Sequence, residues 1–598
     1  MSNKHFINDA ADLVASALRS VPVTNPALKL DEENKIVYSR HNAADTVAIV
    51  SGGGAGHEPS FVRYQPHMLI SRPYQNAHDF VGSGILRAAV SGSIFASPSV
   101  RQIYNAIIHR VNPNSGVCMI VMNYTGDVLH FGLASEKAKA AGLDVEMVVV
   151  GDDVGVGREI NGKVGRRGIA GTVLVHKVAG ALAAAKGNLQ EVTEVARLVS
   201  ANLVSVGSSL GHVHVPGHGT AENEAALKET DVEVGMGIHN EQGFKRIPIP
   251  PLGELVSLLL KQLLDSSDKD RGYLEEVEKN EGWVLLINNL GGVSPLEMGG
   301  VTTEVVKQLD ATYGIEPKRV FSGTYMTSLN GNGFSISLLR LVDTGLGKGK
   351  SMLELLDAPC ETIGWPMIVK PETWDNKVKD EVAEKIAVDE RIPSSKLKMD
   401  TAIFSKILTA GLKKLIEAEP EITKADEIVG DGDCGLALKS GAEAVLKFID
   451  SGKVVPDAVI TVAKLAEIVE EHMDGTSGAI YSIFLNSLAK ALRRSGEERA
   501  TLKTWATAAM AALVSLRRYT PAQPGDRTLV DALQPFIIAL AEDKGLVAAA
   551  KAAREGADST KGMRPRLGRS VYVNEIGDTL DPGAVGIAVL VEGFAQSK

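Results

Sequence analysis

The sequence predicts a multidomain protein with an α/β region in its N-terminal half and an all-α bundle or barrel of helices in its C-terminal half. Its 598 residues exceed what one hydrophobic core usually serves. Between about residues 45 and 345, short β-branched runs alternate with helical stretches and glycine-rich turns. From residue 401 onward, the apolar residues instead follow the period of amphipathic helices.

The strands of the N-terminal half are predicted from short, almost uninterrupted apolar runs. Glu146 is the one charged residue within these runs, which therefore indicate strands that are buried on both faces. Such strands are typical of α/β folds with substantial parallel pairing. The runs are Thr46–Val50, Val117–Val121, Val145–Val150 and Gly282–Ile287.

The C-terminal half is predicted to be helical because its apolar residues recur on one stripe. Runs of β-branched residues with the length of a strand are scarce there. We place the α/β domain at residues 1–350, a connecting linker rich in Pro, Lys and Asp at 351–400, and the all-helical domain at 401–598. The first predicted stripe comprises Ile403, Ile407, Leu408, Leu412, Leu415 and Ile416.

Composition argues against several classes of partner. The net charge is −10, from 63 Lys and Arg against 73 Asp and Glu, so we expect no nucleic-acid partner and no membrane-surface role. No apolar run has the length of a membrane span, and the N-terminus lacks the pattern of a signal segment. The three cysteines show no disulfide or zinc spacing. We therefore expect a cytoplasmic protein.

Three aspartates in the C-terminal half form a candidate metal site. Asp426, Asp431 and Asp433 lie within eight residues, and nearby glycines allow a tight turn that aims the carboxylates at one point. Hard oxygen ligands without His or Cys suit Mg²⁺. A solvated acidic turn is the alternative. A second glycine-rich element at 475–478 favours a metal–nucleotide site, because its amides and hydroxyls could hold phosphate oxygens at a helix N-terminus.

A glycine-rich segment from Ser51 to Pro59 follows the first predicted strand of the N-terminal half. It reads Ser-Gly-Gly-Gly-Ala-Gly-His-Glu-Pro, which matches neither the dinucleotide fingerprint nor the P-loop. We predict a turn that brings bare backbone beside His57 and Glu58 and suits a small polar ligand. Asn123-Tyr-Thr-Gly-Asp127 follows another predicted strand, at the end where open α/β sheets bind ligands.

Histidines elsewhere in this half are further candidates. His239 lies in a glycine-rich segment two residues before Glu241 and could serve as a nucleophile or a base, although a structural or surface role is the alternative. His212, His214 and His218 form a cluster that looks metal-binding. The cluster matches no standard zinc spacing, so we favour a solvated loop.

Taken together, these segments resemble the ATP-dependent dihydroxyacetone kinases, in particular the fungal single-chain form. Seven motifs occur in the family's order across nearly the whole chain. They are Ser51–Pro59, Asn123–Asp127, Gly237–His239, Asn288-Asn-Leu-Gly-Gly292, Val429–Gly435, Gly475–Gly478 and Asp581-Pro-Gly-Ala584.

The resemblance implies a kinase that moves the γ-phosphoryl group of ATP to dihydroxyacetone, and to glyceraldehyde as well. His239 would hold the ketose as a covalent hemiaminal on its imidazole nitrogen. His57 and Asp127 would activate the attacking hydroxyl. The substrate-binding residues that it implies are Gly54, Ala55, Gly56, His57, Met122 and Asp127.

The same resemblance implies a nucleotide site in the helical domain. Asp426, Asp431 and Asp433 would hold Mg²⁺ against the ATP phosphates, and Arg527 would contact a phosphate. The nucleotide-binding residues are Asp433, Cys434, Gly435, Leu436, Gly475, Thr476, Ser477, Gly478, Arg527, Leu529, Asp581, Pro582 and Gly583. We also expect a homodimer, in which the nucleotide domain of one chain faces the substrate domain of the other.

The sequence departs from the family pattern at two places. An apparent insertion of about 17 residues occupies 61–77, beside the implied substrate site. Met122 stands where many members of the family carry a Lys that contacts substrate, and Met donates no hydrogen bond. The alternative is therefore a ketose-binding or regulatory protein whose catalysis is impaired by the insertion. A subunit that uses a phosphoprotein donor is a weaker alternative, because both domains lie in one chain.

Overall fold

The computed structural model divides the chain into two compact units, Met1–Val382 and Ala383–Lys598. Each unit is described separately. The described residues are 5–40, 43–60, 80–216, 227–274, 282–362, 364–365, 369–375, 392–473, 475–567, 571, 573 and 577–597. The predicted insertion at 61–77 and His218 lie outside them.

The first unit begins with a six-stranded sheet of order β1-β2-β4-β3-β5-β6. The pairs β4–β3, β3–β5 and β5–β6 are parallel, whereas β1–β2 and β2–β4 are antiparallel. Parallel pairing in this sheet confirms the α/β prediction. The strands are β1 (Leu28–Asp31), β2 (Ile36–Ser39), β3 (Ala48–Ala55), β4 (Ala88–Ile94), β5 (Val117–Met122) and β6 (Val145–Val150).

A second six-stranded sheet has the order β11-β10-β12-β7-β8-β9. Among the described strands of this sheet only β10 and β11 pair in parallel, so the parallel pairing predicted for this half is found mainly in the first sheet. Buried apolar runs are typical of parallel sheets but also occur in the central strands of other sheets, and here β12 inserts antiparallel between β10 and β7. The strands are β7 (Leu203–Ser209), β8 (Asp231–Val234), β9 (Lys245–Pro248), β10 (Gly282–Asn289), β11 (Arg319–Gly323) and β12 (Gly333–Leu341).

Helices cover both sheets of the first unit. Alternate residues of β3 and β5 point to opposite faces: Ile49 and Ile120 enter a core shared with the second sheet, and Val50 and Val121 enter a core under α2 and α3. A third core lies between the second sheet and helices α7 and α8. The helices are α1 (Ala10–Thr24), α2 (Val100–Asn105), α3 (Thr125–Ala140), α4 (Arg158–Asn161), α5 (Thr172–Ala184), α6 (Leu189–Ala201), α7 (Leu252–Leu264) and α8 (Pro295–Tyr313); a π-helix at Ala106–Arg110 follows α2.

The start of the segment assigned to a linker packs into the first unit. Helix α9 (Met352–Asp357) contributes Leu355 and Leu356 to the core between the sheets, and Trp365 joins the same core. Arg319 forms two ion pairs here: its Nη2 lies 2.7 Å from Oδ2 of Asp357, and its Nη1 lies 3.1 Å from Oδ1 of Asp375 in α10 (Pro371–Asp375). The part of the predicted linker at 351–357, together with Trp365, is therefore packed into the first unit, although the high Pro, Lys and Asp content of 351–400 suggested a linker.

The second unit is all-helical in its described residues. Each helix from α13 to α19 packs on the next, while α19 returns to α11, and α11 packs on α13, so the helices close into a ring. This confirms the predicted helical bundle or barrel. The helices are α11 (Thr401–Glu417), α12 (Glu419–Val429), α13 (Cys434–Asp450), α14 (Ala458–His472), α15 (Gly475–Arg493), α16 (Leu502–Leu516), α17 (Val530–Ala541), α18 (Gly545–Asp558) and α19 (Pro582–Gln596).

The predicted stripe on α11 is confirmed in part. Leu412 and Leu415 are buried in a core with α13 and α19, whereas Ile403 at the start of the helix is 58% exposed. Within the described ranges, no helix is both long and apolar enough to cross a membrane.

Candidate active site

The glycine-rich segment after the first predicted strand is part of strand β3. The sequence predicted a turn from Ser51, but β3 continues to Ala55 and the turn begins at Gly56, whose φ is +101°. The strand continues because its glycines lie against neighbouring backbone. A Cβ on Gly52 would lie 2.3 Å from the carbonyl oxygen of Val90, and a Cβ on Gly54 would lie 2.7 Å from the amide nitrogen of Ala96. Gly56 and His57 therefore lie directly after the C-terminal end of β3.

His57 follows this strand and its ring is buried. Its Nδ1 lies 2.9 Å from the carbonyl oxygen of Thr327, which can only accept, so Nδ1 carries the proton. Phe95 stacks on the ring with centroids 5.0 Å apart. Burial, together with the neighbouring His239, lowers the pKa of His57 to about 3. His57 is therefore a neutral imidazole that presents its Nε2.

His239 meets His57 through Nε2, and the two Nε2 atoms lie 2.8 Å apart. On its other side, Nδ1 of His239 donates to Oε1 of Glu241 at 2.8 Å, and its backbone N–H donates to Oε2 at 2.8 Å. Both Nδ1 atoms therefore act as donors. Neutral His57 carries its proton on Nδ1 and can only accept at Nε2, so the Nε2–Nε2 contact is a hydrogen bond when Nε2 of His239 carries a proton.

Asp127 lies in the first turn of α3, directly after β5. Burial raises the pKa of its carboxyl group, although Ser97, His239 and His130 oppose the shift. Its Oδ1 is buried and has no hydrogen-bond partner among the described residues. An unpaired buried acceptor of this kind suits a ligand hydroxyl.

The other implied substrate residues divide into two groups. Gly54, Ala55 and Gly56 lie at the end of β3, beside His57. Met122 ends β5 with its side chain in the core between the two sheets, and a Cβ on Gly168 would lie 2.7 Å from Met122 Cβ. The structure thus gives Met122 a packing role, and its assignment to the substrate rests on sequence position alone.

Sequence reasoning missed three residues that shape this site. Thr327 fixes the tautomer of His57 from 270 positions away. The rings of Phe95 and Tyr124 meet the His239 ring edge-on, with centroids 5.2 and 4.6 Å from it. Tyr124 stands inside the Asn123–Asp127 motif, which was a usable signal, whereas nothing in the sequence points to Thr327.

The two described members of the histidine cluster, His212 and His214, contact other side chains. His212 Nε2 lies 3.1 Å from Oε2 of the buried Glu233, and His214 Nδ1 lies 3.0 Å from Nε2 of His5. Both residues therefore have protein partners, which differs from the solvated loop predicted for the cluster.

The three aspartates of the second unit come together as predicted. One carboxylate oxygen from each of Asp426, Asp431 and Asp433 lies within 4.8 Å of the others. Asp426 is buried in the last turn of α12, whereas the other two are exposed in the connection to α13, so only part of the set occupies the predicted loop. An all-carboxylate donor set with an exposed side fits Mg²⁺, which keeps waters or phosphate oxygens among its ligands.

The segment 475–478 starts a helix and is not the predicted interhelical loop. Gly475 to Gly478 form the first turn of α15, while Cys434, Gly435 and Leu436 form the first turn of α13. Ser477 Oγ lies 4.0 Å from Cys434 Sγ, so the two helix starts are neighbours. Helix N-termini offer unpaired N–H groups and positive dipole ends to phosphate oxygens.

A buried arginine and aspartate lie close to these helix starts. Arg527 is 1% exposed and donates Nη2 to the carbonyl oxygen of Thr579 at 2.8 Å, but Nε and Nη1 have no partner among the described residues. Asp581 caps α19 through the amide of Ala584 at 2.8 Å. Burial raises the pKa of Asp581 to about 6, with Asp426 among the charges that contribute.

The remaining nucleotide residues lie around this pair. Pro582 and Gly583 begin α19 directly after Asp581. A Cβ on Gly583 would lie 3.2 Å from Leu529 Cβ and 3.3 Å from Oδ1 of Asp581. The unpaired N–H groups of Arg527 and the neighbouring helix starts fit a bound polyphosphate.

Comparison with known proteins agrees with the division of the chain into an α/β half and a helical half. The Dak1 domain model matches residues 19–364, and the DAK2 domain model matches residues 428–596. The chain is 43% identical over 624 residues to a dihydroxyacetone kinase of Pichia angusta, covering 100% of this chain and 99% of the relative. It is 33% identical over 613 residues to triokinase/FMN cyclase of Mus musculus, covering 100% of this chain and 99% of the relative.

A solved structure matches over the full length as well. The dihydroxyacetone kinase of C. freundii in complex with AMP-PNP and Mg²⁺ is 30% identical, with a TM-score of 0.65 and complete coverage of both chains. Both halves of the chain and their order are thus shared with these kinases. The chain therefore belongs to the dihydroxyacetone kinase family.

Proposed function

We propose that this chain transfers the γ-phosphoryl group of ATP to dihydroxyacetone, and also to glyceraldehyde, with Mg²⁺ as cofactor. Full-length relatives named dihydroxyacetone kinase support the first substrate, and the relative named triokinase/FMN cyclase supports the second. The structure in complex with AMP-PNP and Mg²⁺ supports the cofactor. The His57–His239 contact is the observation that carries the proposal, because it prepares a nucleophile for a carbonyl group.

We propose that the ketose is captured covalently on His239. Nε2 of His239 would bond to the carbonyl carbon, and the π electrons of the carbonyl would move to its oxygen. The Nε2 proton of His239 would first pass to Nε2 of His57, which frees the attacking lone pair, and would then pass from His57 to this oxygen to form the hemiaminal hydroxyl. His57 is left neutral, and the alkylated imidazolium of His239 faces the carboxylate of Glu241.

Asp127 is our candidate for the group that receives a proton from the attacking hydroxyl. Its unpaired, buried Oδ1 lies on the first turn of α3, and its pKa responds to the charge of His239. A carboxylate in hydrogen-bond reach of a substrate hydroxyl is a competent general base.

In the second unit, Asp426, Asp431 and Asp433 would hold the metal ion, which supplies charge neutralisation for the phosphates when bound. Arg527 would offer Nε–H and Nη1–H to a phosphate oxygen. The helix starts at Cys434 and Gly475 would align the polyphosphate.

The test is the release of ADP from Mg·ATP with and without dihydroxyacetone, with ketose phosphate measured in parallel. We expect ketose-dependent ADP release with a matching amount of ketose phosphate. His239→Ala should abolish it and leave nucleotide binding intact, whereas His109→Ala, at an exposed position, should retain it. A folded protein that binds ATP without ketose-dependent turnover would instead favour a ketose-binding or regulatory role, and full turnover by His239→Ala would refute covalent capture.

A further inference from the structure

Arg167 is a largely buried cation near the His239 loop that the sequence analysis did not single out. Its Nε donates to Oδ2 of Asp153 at 2.8 Å, and its Nη2 donates to the carbonyl oxygen of Gly235 at 2.7 Å. Asp153 is itself fixed by the amide of Gly155 at 2.7 Å. These contacts hold the planar guanidinium in one orientation, since it is bonded through two of its nitrogens.

The guanidinium and the carboxylate of Glu241 flank the same glycine. A Cβ on Gly237 would lie 2.1 Å from Oε2 of Glu241 and 2.6 Å from Nη1 of Arg167. Their contacts in the described residues include no direct hydrogen bond, so Arg167 acts on Glu241 through its charge. The absence of a side chain at Gly237 is what permits this approach.

The protonation state of Glu241 determines whether it can hold the ring of His239 in this orientation. Its two oxygens accept the Nδ1–H and the backbone N–H of His239, and this requires a carboxylate, because a carboxylic acid would turn one oxygen into a donor. Burial alone would raise the pKa of Glu241. The hydrogen bonds and charge of His239, followed by the charge of Arg167, lower it to about 2.

Several ionisable groups face Glu241. His239 contacts it directly, His57 lies behind His239, and Arg167, Asp153 and Tyr124 interact with it through charge. Burial raises the pKa of Tyr124 well above its ordinary value, so its phenol stays neutral. Among these described groups, Arg167 supplies the positive charge that does not titrate.

We propose that Arg167 is a positioning residue for ketose capture: its fixed charge keeps Glu241 a carboxylate, which holds Nδ1–H of His239 and directs Nε2 at the substrate carbonyl. This inference rests on the proposed function of His239 as the nucleophile. Arg167 does not touch the reacting atoms, and Asp153 serves by orienting it.

The experiment compares pH profiles of kcat/KM for dihydroxyacetone. Removing a positive charge raises the pKa of each acid beside it, so Arg167→Met should move the acid limb of the profile upward by about one pH unit, since the contacts of His239 lower the pKa of Glu241 more than Arg167 does. Arg167→Lys keeps the charge and should retain the wild-type limb. Arg271→Met is the matched control, because Arg271 is similarly buried and paired with Asp270 at 3.0 Å. The KM for ATP should stay unchanged in all three.

A second variant gives a shift of opposite sign. Asp153→Asn removes a negative charge that raises the pKa of its acidic neighbours, while its amide oxygen can still accept from Nε of Arg167 and keep that residue oriented, so its acid limb should move to lower pH. It also serves if Arg167→Met fails to fold, as judged by thermal unfolding.

An unshifted limb in Arg167→Met, an equal shift in Arg167→Lys, or an upward shift in Asp153→Asn would each overturn the inference. These results are distinct from failure of the proposed function, which would appear as absent ketose-dependent turnover in the wild-type protein or full turnover in His239→Ala.

Discussion

Cys434 donates its backbone N–H to Oδ2 of Asp426 over 3.0 Å, and this bond ties the last turn of α12 to the first turn of α13. The bond orients a buried carboxylate, whereas Asp431 and Asp433 are exposed. One of the three candidate metal ligands is therefore fixed before any ion arrives.

Asp426→Asn should strongly weaken metal-dependent catalysis. The amide keeps the shape but loses the negative charge, and a metal ion contributes several kcal/mol to a phosphoryl-transfer transition state, so we expect turnover to fall by roughly a hundredfold or more. The measurement is ketose phosphorylation as a function of Mg²⁺ concentration. Glu443→Gln, on an exposed face of α13, is the control. Equal loss in both variants would argue against the metal site.

Arg527→Met should weaken nucleotide binding without destabilising the protein. Nε and Nη1 are buried without partners, so removing this charge should leave the unfolding temperature without nucleotide unchanged or higher. A charged hydrogen bond contributes about 1.5–3 kcal/mol, which predicts a loss of ATP affinity of roughly ten- to a hundredfold. Calorimetric titration and thermal unfolding measure the two effects.

The control for this variant is Arg554→Met. Arg554 is paired with Glu592 at 2.6 Å, so its loss should lower stability and leave ATP affinity intact. The phosphate role of Arg527 would be excluded if its variant bound ATP as tightly as the wild-type protein.

Gly54→Ala should damage the ketose site through the backbone. The added methyl group would lie 2.9 Å from Cα of Phe95, so the strand or the ring stacked on His57 must move. Overpacking of this kind costs about 1–3 kcal/mol, and we expect a higher KM for dihydroxyacetone as well. Gly299→Ala, on α8 with nothing within 4 Å of the new Cβ, should instead stabilise by about 0.5–1 kcal/mol. Steady-state kinetics and chemical unfolding measure both, and a neutral Gly54→Ala would contradict the close approach.

Acid should destabilise the first unit through His57. The pKa of His57 is 6.5 when unperturbed and about 3 in the folded unit, so the unfolded chain binds the additional proton and stability falls as the pH falls between these values. His57 contributes a slope of at most about 1.4 kcal/mol per pH unit, and the buried His176, whose pKa is lowered over the same range, adds to it. Glu241, lowered from 4.5 to about 2, adds a loss only at lower pH.

His57→Gln should reduce this slope between pH 6.5 and 4.5 without abolishing it, because the buried His176, whose pKa is also lowered from 6.5 to about 3, still contributes. Glu241 contributes nothing in this window. Unfolding free energies of the wild-type protein and the variant across this window provide the measurement, and His109→Gln, at an exposed position, serves as the control. Identical slopes in all three proteins would show that His57 is not held neutral by burial.

The sequence was most informative where a short local pattern of residues was enough to predict a structural feature. The apolar period correctly separated the α/β half from the helical half, and the spacing of Asp426, Asp431 and Asp433 correctly predicted that their carboxylates converge. Both patterns lie within short stretches of the chain, so they can be recognised without knowledge of the tertiary structure. The substrate and nucleotide roles of individual residues, and the homodimer, stay predictions.

Other features depend on contacts between distant segments. The extension of β3 through its glycines depends on Val90 and Ala96, which a single stretch of sequence does not reveal. Likewise, the direction of β12 depends on its neighbours β10 and β7. Arg167 looked like one of many basic residues, because its partners Asp153, Gly235 and Glu241 are brought to it by the fold.

The glycines of β3 also limit which substitutions this strand tolerates. In a library that randomises residues 52 and 54, selection for folded protein should return glycine at both, since every other side chain begins with the Cβ that Val90 and Ala96 exclude. Codon variation would persist there, while amino-acid variation would not. A redesign of substrate preference therefore has to be sought in the side chains around His57 and His239, and not in the strand that carries them.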